Sequence, residues 1–118
     1  LSQLTYVFRS APHSSSAGRE GVDALLAASA YCEDITVLFM GDGVYQLLQG
    51  QQPQDILSKD YAPMLKLFDL YDIEQVYVCA HSLALRGLSN ADLVIDAERL
   101  ETAAMNLKLH QARKLLSF

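Results

Sequence analysis

The stretch VYVCAHSLALRGL, residues 76–88, sets Cys79, His81, Ser82 and Arg86 in close succession. An apolar run of strand character stops at Cys79, and a short helical turn follows it. A thiol in that position sits at the mouth of a site, beside the free N–H groups of a helix start, whose dipoles stabilise a thiolate. His81 and Arg86 are near enough in sequence to assist it. Cysteine is also among the most buried residue types, and a small apolar side chain closing the end of a strand accounts for Cys79 as well. Spacing alone leaves both readings standing: a sulfur nucleophile or a packing residue.

Two other segments carry polar residues where a ligand could sit. RSAPHSSSAGRE, from Arg9, precedes a helix whose N-terminal amides could receive an anion. It lacks the glycine spacing of a dinucleotide or nucleotide loop, and Ser14, Ser15 or Ser16 as a helix cap explains the serines. In GDG, residues 41–43, the glycines permit a tight turn and Asp42 is placed to cap the helix that follows. His13 in the serine loop and His110 in the last helix are isolated. Cys32 ends the first helix and is assigned no role. Neither a CxxC pair nor a Cys/His cluster at metal spacing occurs, so no metal and no organic cofactor is expected.

Positioning such residues requires one ordinary domain, and 118 residues suffice for one core but not for two. Residues 1–118 are therefore expected to form a single domain. Hydrophobic residues make up 51% and charged residues 19%, an apolar excess that points to burial against partner chains or, when these are absent, to self-association. The formal net charge is -5 with no Lys/Arg cluster, which argues against a phosphate-backbone binder. No apolar run approaches the roughly 20 residues needed to span a bilayer, and LSQLTYVFRS has no signal-peptide pattern, so a cytoplasmic location is expected.

Strand and helix patterns alternate along the chain. LTYVF (4–8) reads as a strand, AGREGVDALLAASAYC as a helix with Val22, Leu25, Leu26 and Ser29 on one stripe, and ITVLFM (35–40) as a strand buried on both faces. VYQLLQG reads as a short helix, and DILSKDYAPMLKLFDLYDI as one or two helical pieces whose apolar residues extend beyond a single core-facing stripe. EQVYVCA (74–80) is the third strand, HSLALRG a helical turn, ADLVID (91–96) a fourth strand, AERLETAAMNLKLHQA a last helix and RKLLSF a final strand. The alternation implies a three-layer α/β domain with a mainly parallel sheet of about five strands. Reactive groups would gather beyond the carboxyl ends of those strands.

TYVFRSAPHSSSAGREGVDALLAASA, VLFMGDGVYQLLQGQ, LFDLYDIEQVYVCAHSLALRGL and LLSF together resemble the DsrF-type subunits of the DsrE/DsrF/DsrH superfamily. The likeness runs along nearly the whole chain. It implies a flavodoxin-like fold and a heterohexamer, a dimer of heterotrimers, built with TusB-like and TusD-like subunits. Such a complex takes persulfide sulfur from TusA and hands it to TusE, toward 2-thiouridine at the tRNA wobble position, without itself contacting nucleic acid or membrane. The resemblance gives the sulfur-carrying duty to the TusD-like subunit and makes a DsrF-type chain mainly a structural member. Yet Cys79 occupies the superfamily's carrier position, so its persulfide chemistry remains an alternative, as does a flavodoxin-like small-ligand binder built on the serine loop and GDG. In the carrier case the Cys79 thiolate would attack the terminal sulfur of a persulfide, the donor thiolate would leave, and the acceptor's cysteine would then take the sulfur.

Overall fold

The computed structural model describes residues 4–11, 17–31, 34–48, 68, 73–93 and 95–118. Five strands, β1 (Leu4–Phe8), β2 (Ile35–Phe39), β3 (Gln75–Cys79), β4 (Glu98–Leu100) and β5 (Lys114–Ser117), make one sheet in the order β4-β3-β2-β1-β5. Every pairing is parallel. The helices are α1 (Ala17–Ala28), a 3-10 helix over Gly41–Leu47, α2 (Ala80–Leu85) and α3 (Thr102–Gln111).

Alternation along the strands sorts the core into two faces. Tyr6 and Phe8 of β1, Ile35, Val37 and Phe39 of β2, and Val76 and Val78 of β3 form one buried cluster with Val22 and Leu25 of α1, Val44 and Leu47 of the 3-10 helix, and Leu83 of α2. Val7, Leu38 and Cys79 point the other way and are covered by Met105 of α3. All five residues of β2 are buried, as a central parallel strand covered on both sides requires. Full burial of Val22 and Leu25 is worth roughly 1.5–3 kcal/mol each, which makes α1 the better anchored layer. That helix approaches closely because of Gly21, where an added Cβ would lie 2.6 Å from ring carbons of both Phe8 and Phe118.

The first three strands, the fifth and the parallel sheet stand where the sequence puts them. The fourth strand does not lie at 91–96. Leu93 there forms an isolated antiparallel bridge with Leu48, and Leu93 and Ile95 pad the α1-side core. The pairing strand is Glu98–Leu100, beside Tyr77, Val78 and Cys79. Its exposed Glu98 and Arg99 give no alternating apolar signal, because an edge strand this short covers little. The last helix accordingly starts at Thr102, not at Ala97. The first ends at Ala28, short of Cys32, with a turn in which the Ser29 hydroxyl donates to the Leu26 carbonyl at 2.6 Å. The helical stretch expected over 55–73 lies outside the described residues apart from Phe68 and Ile73, both in the core.

Candidate functional site

Because β2 and β3 are parallel neighbours with Phe39 opposite Val78, the segments following them leave the sheet side by side. Cys79 ends β3 and serves as N-cap of α2, and the N–H of Ser82 donates to its Sγ at 3.4 Å. Ser82 is itself buried, and its Oγ accepts the N–H of Gly41 at 2.9 Å. This serine therefore fastens the segment after β2 to the helix after β3. A second clasp lies further out: Arg86 Nε and Nη2 donate to Asp42 Oδ1 at 3.1 and 2.9 Å, and Nη1 donates to the Ser82 carbonyl at 3.0 Å. The guanidinium also stands 6.0 Å from the centroid of the Tyr45 ring.

The end of β1 joins the same region. Met40 N–H donates to the Phe8 carbonyl at 3.1 Å, and the buried Gln46 side chain donates through Nε2 to the Ser10 carbonyl at 3.0 Å. Gly43 lies so close to β1 that a Cβ there would overlap the Phe8 carbonyl. The three strand ends do converge, as the parallel sheet predicts. His13 and Ser14–Ser16 lie outside the described residues, as does Cys32.

The placement of Cys79 follows the sequence reading in position but is far more enclosed than a site mouth. The residue is 5% exposed, packed with Val7, Leu38 and Met105 and edged by Met40, Tyr77, Leu100 and Leu109. His81 is exposed, and Arg86 is committed to Asp42, so neither of the two expected assistants is brought to the sulfur by a described hydrogen bond. Asp42 does not cap its helix. The cap residue is Met40, without a side-chain cap bond, and the carboxylate pairs with Arg86 instead. Nor is GDG an open anion cradle, since the Gly41 N–H is taken by Ser82 and the Gly43 N–H by the Met40 carbonyl at 3.0 Å. Among the described residues no cluster of His, Cys, Asp and Glu is placed to hold a metal ion.

Residues 2–118 match the DsrE/DsrF-like family. The chain belongs to that family. Curated relatives named "Protein TusC homolog" align with it over 118 residues and the whole of both chains, at 77% identity in Vibrio parahaemolyticus, 68% in Vibrio vulnificus and 48% in Aliivibrio fischeri. A crystal structure of the ychN protein from E. coli superposes with a TM-score of 0.84 over all of both chains at 21% identity, which speaks to the fold. The five-stranded parallel sheet between helical layers is thus the flavodoxin-like α/β fold expected of a DsrE/DsrF-like chain.

In this DsrE/DsrF-like chain, sequence reading missed the Ser82 clamp, the Asp42–Arg86 pair and the Met105 cover. The pair joins residues 44 apart in sequence, and only the adjacency of β2 and β3 makes them neighbours. Ser82 carried a usable signal: a small hydroxyl in the first turn after a buried strand, facing a glycine turn at the end of the neighbouring strand.

Proposed function

We propose that this chain is the structural, TusC-type subunit of a sulfur-relay heterohexamer with TusB-like and TusD-like partners. The complex takes persulfide sulfur from TusA and passes it to TusE, and the sulfur ends as 2-thiouridine at the tRNA wobble position, in the cytoplasm. The observation carrying the structural assignment is the enclosure of Cys79: its sulfur caps α2 and fills the core between β1, β2 and α3, with 5% of the residue exposed. A sulfur carrier must present its thiol to two partners in turn, and a residue closed in by Val7, Leu38 and Met105 and 5% exposed presents little of it in this conformation. Full-length identity to the TusC homologues supports the subunit type.

The test is recovery of the chain from its own cells under gentle conditions, followed by intact-mass analysis of everything recovered. Two partners of similar size, with added sulfur on one of them only, is the expected result. One added sulfur on this chain, removed by reduction and by Cys79→Ser, replaces the structural reading by the carrier reading. Recovery alone and unmodified refutes membership of a relay.

A further inference from the structure

Among the described residues, the two faces of the sheet are covered very unequally. On the α1 side, α1, the 3-10 helix and α2 all contribute fully buried residues. On the Cys79 side, the helical cover among the described residues comes from α3, whose one buried residue is Met105, with Leu109 partly buried beside it. The remaining residues of α3 are exposed or half-buried. Its N-cap, Glu101, makes no side-chain cap bond, so the first amides of the helix lack that support. At the rim, Lys108 Nζ stands 4.6 Å from the centroid of the Tyr77 ring, a contact open to competition from water.

The route of the chain makes α3 a strap. It leaves β4 at one edge of the sheet and enters β5 at the other, crossing β3, β2 and β1. Because β4 and β5 are both parallel members of the sheet, residues 101–113 must cross four inter-strand spacings, about 19 Å, and also return from the carboxyl end of β4 to the amino end of β5. Glu101 and Ala112, which flank it, both have extended backbones, with ψ of 161° and 132°. The face beneath also holds a group that favours release. Thr5 lies on the same face as Val7, fully buried, and its Oγ1 has no hydrogen-bond partner among the described residues. A buried hydroxyl without a protein partner gains a hydrogen bond when water reaches it.

We propose that α3 lifts from the sheet as a unit while β1, β2 and β3 stay folded, and that each lifting opens the Cys79 thiol to molecules in solution. The closed state is the one in which Cys79 is a packing residue. The inference extends beyond the structural role, because it makes the enclosure of the thiol reversible and assigns the control to α3.

The test is alkylation of the folded protein by iodoacetamide, read as the labelled fraction of the Cys79 peptide by mass spectrometry, alongside hydrogen exchange of the unsubstituted chain. Met105→Ala weakens the strap alone, whereas Leu25→Ala weakens the opposite face. Sub-global opening is expected to raise the labelling rate about tenfold or more for Met105→Ala and less than about twofold for Leu25→Ala. Amides 102–111 are expected to exchange well before those of β1 and β2. Labelling that rises equally in both variants, in step with their loss of global stability, overturns the proposal. So does protection of α3 equal to that of β2, a measurement that needs no variant to fold. Faster labelling in Met105→Ala alone, with no added sulfur on Cys79 in cells, supports the strap and leaves the structural assignment in place. Added sulfur on Cys79 with α3 fully protected refutes both.

Discussion

Replacing Cys79 by alanine separates packing from transfer. The sulfur is buried, and removing it forfeits about 1 kcal/mol of transfer free energy. Val7, Leu38 and Met105 close incompletely over the gap, adding on the order of 0.5 kcal/mol. Loss of the weak bond from the Ser82 N–H to Sγ adds about 0.5 kcal/mol, since it leaves one amide at the start of α2 without its cap. Together these lower stability by about 2 kcal/mol, and a chain of this size loses about 4 °C of Tm per kcal/mol, so a fall of about 8 °C is expected. The assay is thermal unfolding followed by circular dichroism at fixed protein concentration, since association with other copies or partners would itself shift the midpoint. Sulfur transfer by the assembled complex, measured below the transition, is expected to persist. A Tm change under about 1 °C refutes the packing argument, and abolished transfer with an unchanged Tm establishes Cys79 as a carrier.

Ser82→Ala leaves the Gly41 N–H without its acceptor in a partly buried position, and a loss of about 1–2 kcal/mol is expected by urea unfolding. Gly43→Ala drives a Cβ into the Phe8 carbonyl; the turn must move off β1, and stability is expected to fall by about 3 kcal/mol or more, read as loss of soluble folded protein. Asp42→Asn weakens the pair with Arg86, whose side chains are 59% and 22% exposed, so its effect is expected to stay below about 1 kcal/mol and to vanish in high salt. A large, salt-independent loss there would mean that Asp42 has a role beyond the clasp.

The central strands were legible because parallel burial leaves a dense signature. Ile35–Phe39 is rich in β-branched and aromatic residues and, with Met40, lies between Asp34 and the glycine turn at 41–43, as a strand buried on both faces should. The stripe of Val22 and Leu25 marked α1 for the same reason. β4 was illegible because its function in the sheet is backbone pairing at an edge, which leaves Glu98 and Arg99 exposed, while the more apolar stretch just before it packs as padding around Leu93 and Ile95. Cys79 was found in its place, beneath the N–H of Ser82, but its burial depended on Met105, whose approach is set by the crossing of α3 from one sheet edge to the other. Asp42 was located correctly and given the wrong partner, since capping is a local rule and Arg86 comes from the next strand's helix.

β1 pairs with β2 on one side and with β5 on the other, so this interior strand is hydrogen-bonded to segments about thirty and about one hundred and ten residues further on. During synthesis, Leu4–Phe8 can acquire its first neighbour early, yet its other edge has no partner until Lys114–Phe118 has left the ribosome. Even then Phe118 must dock, its N–H on the Val7 carbonyl and its own carbonyl on the Arg9 N–H, with its ring stacked on Phe8. Until residues 114–118 are in place, a buried apolar strand thus offers an unsatisfied backbone ladder to any other nascent chain. Residues 114–118 act as the closing seam of the sheet, and it is at this seam that folding competes with aggregation.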